Sequence, residues 1–206
     1  MRRMPSFTLD PVVRALAPIA KRLPSRGDHV VVKTVLSLLS LEWIVSGYQP
    51  QVVIIERNEL NVVASWLALD IPMGELESPA VLEVFARPLG MPEPDPLAPK
   101  YERVAWCVGM LTRVVREAVS RHPEWYFVSH AQLCADPMGV FGPLFAAVGL
   151  QWTDHVRKHI AASDTMGTSF ETRRVRAELA EAWRSRLSID EERGIRSVLE
   201  WFPVGP

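Results

Sequence analysis

Arg57 and Ser65 are the side chains whose types and spacing most directly indicate a chemical role. They belong to the stretch QVVIIERNELNVVASW at residues 51–66, where an apolar run leads to Arg57 and Ser65 follows eight residues later. A guanidinium offers a planar set of donors that fits phosphate oxygens, and a serine hydroxyl adds a neutral donor. The pair therefore predicts an anion site, while the alternative interpretation of Arg57 is a surface salt-bridge residue.

The elements expected around this pair would place it where open α/β proteins bind ligands. A strand ending near Glu56 and a helix beginning near Leu60 put the intervening turn at the carboxyl edge of a parallel sheet. The first turn of the helix also presents unpaired N–H groups and a partial positive charge. An anion could therefore contact Arg57, the helix N-terminus and Ser65 together.

Strand-like apolar runs alternate with helical patterns along the chain. This alternation predicts one α/β domain over residues 1–206, a three-layer sandwich whose mainly parallel sheet is flanked by helices. Strands are expected in GDHVVVKT, PQVVII and WYFVSH, and helices in residues 8–22, 35–47, 59–70, 100–121, 137–150, 153–163, 178–187 and 188–202. Gly149 is expected to close the fifth of these helices, and Ser188 with Glu191 to form a capping box on the last.

Residues 71–100 contain seven prolines, and this density predicts a long irregular connection. Loops of that length tend to be lids or binding segments, and a permissive surface loop is the other interpretation. The segment is the best candidate for shaping an acceptor pocket.

The composition excludes several classes of function. A formal net charge of −1 gives no overall field that would attract nucleic acid, so an anion site must be local. Cys107 and Cys134 lack metal-ligand spacing and are too few for a disulfide framework, and no metal cluster is expected. The sequence shows no signal peptide and no apolar run long enough to span a membrane, which predicts a soluble cytoplasmic protein.

Five segments in order resemble the sulfotransferases that use 3′-phosphoadenosine 5′-phosphosulfate as donor. ERNELNVVASW is similar to the family's 3′-phosphate-binding segment, VVVKTVLSL to the strand whose Lys-Thr leads to the acceptor side, and TSF to its adenine-contacting motif. The segment from WYFVSH to LQW is similar to the family's strand–loop–helix with Asp-Pro, and AWRSRLSIDEE to its C-terminal helix. The resemblance covers about residues 28–202 and implies a related fold, similar to that of P-loop NTPases.

The resemblance also implies roles for individual residues. Arg57 and Ser65 would hold the 3′-phosphate of the donor or of its product, 3′,5′-adenosine bisphosphate. Lys33 would stabilise charge on the transferred sulfuryl group, whereas the alternative for this residue is a lysine extending from a strand end to water. The adenine and phosphate contacts would come from a set in the C-terminal third: Thr168, Phe170 and Arg176, with Arg173 and Arg174 as contenders for the position of Arg176.

Two departures from the family bear on activity. Residues 1–32 hold one glycine, Gly27, and no Gly/Ser/Thr-rich loop of the type that grips the 5′-phosphosulfate, so the first β–loop–α unit is expected to be missing. That loop could be lost, truncated or supplied by another chain. Val35 stands where animal cytosolic members carry the histidine base, and an aliphatic side chain accepts no proton. His29 and His130 are interpreted as surface or packing residues, and no base is assigned.

The expected function is sulfuryl transfer from 3′-phosphoadenosine 5′-phosphosulfate to a hydroxyl or amine of an unidentified small-molecule or glycan acceptor. The alternative is a catalytically inactive or truncated sulfotransferase-like protein that binds nucleotide or assembles, for instance as a homodimer. A P-loop kinase lacks support because no G-x-x-x-x-G-K-[ST] motif occurs.

Overall fold

The fold of the described residues is a helical assembly around a small parallel sheet. The computed structural model describes residues 30–35, 37–162 and 181–203, and the chain divides into two units, Met1–Val35 and Leu36–Pro206. The longer helices described in the second unit are α1 (Leu41–Tyr48), α2 (Glu59–Ala68), α3 (Lys100–Arg121), α4 (His130–Ala135), α5 (Pro137–Ala147), α6 (Asp154–Ala162) and α7 (Ile189–Leu199). Short 3₁₀ turns at Leu38–Ser40 and Ala182–Ser185 precede α1 and α7.

The sheet contains two parallel strands in the described part of the chain. Strand β1 (Val53–Glu56) pairs with β2 (Tyr126–Ser129), and Glu56 lies opposite Ser129 at their carboxyl ends. Parallel strands require a long crossover, which here runs through α2, residues 69–99 and α3. The α/β character expected from the alternating pattern is therefore present, with a sheet smaller than expected.

The strand expected in GDHVVVKT does not form in the part of it that the structure describes. Residues 30–34 have no regular secondary structure, and Val30, Val31 and Val32 are at least 80% exposed. An apolar, β-branched run has the composition of a buried strand, but a strand also needs a neighbour that satisfies its backbone donors and acceptors.

Helix α3 forms the centre of the core. All eight residues from Val104 to Leu111 are buried, so this part of the helix is enclosed on every side. It packs against α2, against α7 and against the helical part of the 71–100 connection. Its bounds match those expected from the sequence, because a long periodic pattern between Pro99 and His122 has few competing interpretations.

The proline-rich connection contains more regular structure than expected. Helical turns follow one another at Pro79–Val81, Leu82–Ala86 and Arg87–Leu89. Four side chains of this region, those of Val81, Leu82, Ala86 and Met91, are buried in the core. The indole N–H of Trp106 on α3 also donates to the carbonyl of Pro92 at 2.9 Å. Much of the connection is therefore anchored on α3, and the prolines lie at helix starts or in the irregular parts.

Local capping signals define several element ends. Ser188 and Glu191 form the expected capping box at the start of α7. Gly149 adopts φ 68° just after α5, as expected for a glycine that closes a helix. Helix α1 was expected to stop at Gly47 but continues through Tyr48, and Gln49 takes the left-handed conformation instead.

Candidate anion site at the carboxyl edge of the sheet

Arg57 and His130 are neighbours at the carboxyl edge of the sheet. Each follows the last residue of its strand, and those last residues, Glu56 and Ser129, are register partners. Adjacent strands lie about 4.8 Å apart, so the two residues that leave them begin close together. The edge also receives the N-terminus of α2, whose first amides are partly capped by the side chain of Asn58.

The guanidinium of Arg57 is incompletely satisfied. Its Nε is buried and has no hydrogen-bond partner in the described residues, although the side chain as a whole is half-buried. The pKa of Arg57 is lowered first by burial and then by the nearby Arg186, while Cys134 opposes both effects. A buried donor without an acceptor is costly, and an anion would relieve that cost.

The nearest carboxylate along the chain does not neutralise Arg57. Glu56 is held instead by Arg116 of α3, whose Nε donates to Glu56 Oε1 at 2.6 Å in a two-pronged contact. The same guanidinium lies 5.1 Å from the centre of the Phe127 ring, which fixes its orientation. Glu56 is thereby engaged with α3.

His130 and Cys134 form a pair beside Arg57. The two residues are one turn apart on α4, and Cys134 Sγ lies 3.6 Å from His130 Nδ1 and 3.9 Å from Nε2. Both side chains are half-buried. The pKa of His130 is lowered by burial first and by the charge of Arg57 second, so the imidazole favours its neutral form.

Arg186 reaches this region because its segment is anchored to α2. The backbone N–H of Trp183 donates to Asn61 Oδ1 at 3.1 Å, and both residues are buried. Trp183 is further covered by Arg184 and Arg196, whose guanidinium carbons lie 4.4 and 5.4 Å from the ring. This anchor positions the exposed Arg186 near enough to lower the pKa of Arg57, after burial has done so.

Ser65 shares a helix face with Asn61. The residues are four apart on α2, so they lie one turn from each other on the side that meets the 182–185 turn. Ser65 is half-buried there. Arg57 precedes the start of α2 and Ser65 lies in its second turn, as expected from the sequence.

Of the other predicted site residues, Lys33 alone belongs to the described part of the chain. It lies in the first unit and is exposed, as is Val35 two residues later, at 66%. Thr168, Phe170, Arg173, Arg174 and Arg176 lie outside the described residues, as does His29.

Sequence reasoning missed three members of the site. The position of His130 directly after a strand could have predicted its place at the carboxyl edge, as the position of Arg57 did. Cys134 is four residues after His130, and this spacing on a helix could have predicted their contact. Arg186 gave no local signal, since its approach depends on the long-range bond between Asn61 and Trp183.

A separate groove of about 420 Å³ lies between β2, α4 and α5. Its polar lining includes Gln132 and Asp136, and Asp136 Oδ1 already accepts the Gly139 amide at 2.9 Å. Among residues 30–35, 37–162 and 181–203, no group of three or more His, Cys, Asp or Glu residues could hold a metal ion. The described helices include none that is both long and apolar enough to cross a membrane.

Comparison of the chain with protein-family models, with curated proteins and with solved structures gave no match.

Proposed function

We propose that the Arg57 edge binds the 3′-phosphate of an adenosine nucleotide, and that the protein is of the sulfotransferase type. The nucleotide would be 3′-phosphoadenosine 5′-phosphosulfate before transfer and 3′,5′-adenosine bisphosphate after it. The proposal includes the three-layer, P-loop-like fold that the resemblance implies. The acceptor would be a hydroxyl or amine compound.

The observation that carries this proposal is the unsatisfied guanidinium of Arg57. Its buried Nε has no hydrogen-bond partner in the described residues, and the adjacent Glu56 is bonded to Arg116. A second cation, Arg186, approaches the same side chain. The charge of Arg186 disfavours the protonated form of Arg57, and an anion at this edge would offset that repulsion; a phosphate supplies up to two negative charges.

The bond between Asn61 and Trp183 supports the proposal independently. Two of the segments that resemble the sulfotransferases, ERNELNVVASW and AWRSRLSIDEE, are 122 residues apart at this bond and still meet in the core. In the resemblance, the first segment holds the 3′-phosphate and the second lies just after a phosphate-binding arginine. Their meeting is consistent with a nucleotide site to which both segments contribute.

The residues present fit the nucleotide at its 3′-phosphate. Arg57 would donate its free Nε–H, Arg186 would add charge from the side, and Ser65 would offer its hydroxyl from α2. The nucleotide would supply the activated sulfuryl group. By resemblance, Phe170 and Thr168 would contact the adenine, Arg176 or its neighbours Arg173 and Arg174 would reach a phosphate, and Lys33 would stabilise charge near the sulfuryl group.

Calorimetric titration with 3′,5′-adenosine bisphosphate tests the binding step. We expect binding by the parent chain and a loss of roughly 10- to 100-fold in affinity for Arg57→Ala, the effect of removing charge-assisted hydrogen bonds. Arg57→Lys should retain part of the affinity because it keeps the charge but not the planar fork. Arg193→Ala, which removes a 75% exposed arginine of α7, should bind like the parent.

Two ligand comparisons make this titration specific for the 3′-phosphate. Adenosine 5′-monophosphate lacks that group, so it should bind more weakly than the bisphosphate and should respond little to Arg57→Ala. Absence of binding, or equal affinities for the parent and Arg57→Ala, would refute the nucleotide assignment.

Sulfuryl transfer is the second step of the proposal and has its own assay. The chain is incubated with radiolabelled donor and a panel of hydroxyl and amine acceptors, and labelled product is separated and counted. Turnover supports an enzyme, and its loss in Lys33→Ala supports the role given to Lys33. Binding without turnover favours the alternative, a sulfotransferase-like nucleotide-binding protein, which the valine at position 35 also favours.

A further inference from the structure

Cys134 is the nucleophilic side chain at the carboxyl edge that nucleotide binding does not use. Its sulfur lies 3.6 Å from His130 Nδ1 and 3.9 Å from Nε2, and the nitrogen that carries no proton in the neutral imidazole can accept the thiol proton. His130 lies beside Arg57 through the register of β1 and β2. A thiol with a neutral imidazole at hand and a guanidinium nearby has the surroundings that favour a reactive thiolate.

The second cysteine has the opposite surroundings. Cys107 is fully buried in α3, and its burial, the largest cause, raises the pKa of the thiol to about 12. It lies in the centre of the hydrophobic core, away from solvent. The chain therefore contains one thiol suited to reaction and one internal reference thiol that is protected.

We propose that Cys134 is a site of covalent modification by anionic electrophiles. Arg57 binds the anionic group of the reagent, and His130 accepts the proton of the thiol. Arg57 interacts electrostatically with both Cys134 and Arg186, so the thiol lies within the field of at least one guanidinium. A small reagent that carries a carboxylate or phosphate would first bind this positive edge and then present its reactive carbon to the sulfur. This role does not require that the bound anion be a nucleotide.

The covalent step balances without a further reactant when iodoacetate is the probe. The thiol proton passes to a His130 nitrogen, and the sulfur lone pair forms a bond to the methylene carbon. The carbon–iodine bond breaks at the same time, and iodide leaves with the bonding electrons. The product carries a carboxylate on Cys134, next to Arg57, where it would compete with any other anion.

The test compares iodoacetate with iodoacetamide, which has the same reactive carbon but no charge. Labelling rates at Cys134 and Cys107 of the full chain are measured by peptide mass spectrometry under native conditions, and N-acetylcysteine amide provides the reference ratio of the two reagents. We expect Cys134 to react at least about ten-fold faster than Cys107, and the iodoacetate preference to exceed the reference by about ten-fold, as electrostatic docking produces.

Variants separate the two assigned roles. Arg57→Ala should return the reagent ratio to that of the reference thiol, whereas Arg193→Ala should leave it unchanged. His130→Gln should slow both reagents by a similar factor and preserve their ratio. Circular dichroism and a thermal melt verify that each variant is folded, and Arg57→Lys, which keeps the charge, should retain most of the preference.

The outcomes distinguish this inference from the nucleotide assignment. Equal labelling of the two cysteines, or a reagent ratio like that of the reference thiol, overturns the inference even if nucleotide binds. A strong, Arg57-dependent preference for iodoacetate supports it even if 3′,5′-adenosine bisphosphate does not bind. Protection of Cys134 by the bisphosphate, with Cys107 unaffected, supports both.

Discussion

Asn61 and Trp183 are joined by a buried hydrogen bond of 3.1 Å from the backbone N–H of Trp183 to the amide oxygen of Asn61. Asn61 is the one fully buried polar side chain among the described residues. The bond connects α2, which follows Arg57, to the segment that carries Arg186. It therefore holds the segment of Arg186 against the helix that begins beside Arg57.

Replacement of Asn61 by alanine should destabilise the protein and weaken anion binding together. The Trp183 N–H would lose its acceptor inside the core, which costs about 1–3 kcal/mol in the free energy of unfolding. Urea denaturation measures this cost, and Gln51→Ala, at an exposed position before β1, provides a neutral control. Unchanged stability in Asn61→Ala would show that the bond does not anchor the segment.

The ion pair between Glu56 and Arg116 should protect the charge of Arg57. In Arg116→Met the carboxylate of Glu56 loses its partner, and it can turn toward Arg57 and compete with a bound anion. We expect a loss of about 1–3 kcal/mol in stability, because both side chains are at most 31% exposed, and weaker binding of 3′,5′-adenosine bisphosphate. The double variant Glu56→Gln with Arg116→Met should bind the bisphosphate more tightly than Arg116→Met alone. Equal affinities of these two variants would contradict the protective role of the ion pair.

Gly109 on α3 allows the close approach of Phe202. An added Cβ would lie 2.4 Å from Phe202 Cδ2, so Gly109→Ala must displace the ring and should cost about 1–3 kcal/mol of stability. Gly142 on α5 is the matched control, because its added Cβ would lie 3.5 Å from Trp152 Nε1, an ordinary contact. Gly142→Ala should be neutral or stabilise by up to about 1 kcal/mol through helix propensity. Equal melting temperatures for the two variants would argue against the described packing.

His122 should make stability depend on pH near neutrality. Its ring stacks on Trp125 at 4.3 Å, and its nitrogens contact Glu124 and Glu42 at 2.8 and 2.9 Å. Hydrogen bonds to Glu124 and then to Glu42 raise the pKa of His122 above its ordinary value near 6.5. A raised pKa means that the folded state holds the proton more tightly. Protonation of His122 therefore adds to the free energy of unfolding. The full addition is present below the pKa that His122 has in the unfolded chain, and it is lost as pH rises through the pKa of His122 in the folded protein.

Urea midpoints measured between about pH 5.5 and 8.5 test this dependence. The urea midpoint of the parent should fall as pH rises through the range in which His122 loses its proton. His122→Gln should remove this pH dependence of the midpoint. Titration of the His122 ring by NMR should give a pKa above the ordinary value. A ring that titrates below it would contradict the contacts with Glu42 and Glu124.

Local patterns predicted those parts of the fold that depend on neighbouring residues in sequence. The bounds of α3, the strand at 126–129 and the Ser188 capping box all follow from periodicity and end signals within one element. The valines at 30–32 have the right composition for a strand, yet pairing is a long-range condition that composition does not contain. In residues 71–100, proline density concealed helical turns whose stability comes from contact with α3.

The same division applies to the candidate site. Arg57 could be selected from sequence because it follows an apolar strand, and the strand exists where expected. The approach of Arg186 could not, because it depends on the bond from Trp183 to Asn61 across the core. The capture of Glu56 by Arg116, which keeps the adjacent carboxylate away from Arg57, is likewise a contact between distant parts of the chain.

A crystal structure of the full chain with 3′,5′-adenosine bisphosphate tests the central claim most directly. The account predicts an oxygen of the 3′-phosphate about 3 Å from Arg57 Nε, with Arg186 on the other side of the phosphate and the Glu56–Arg116 pair intact. A nucleotide bound elsewhere on the protein, or a carboxylate of the chain occupying Arg57 Nε in its place, would contradict it.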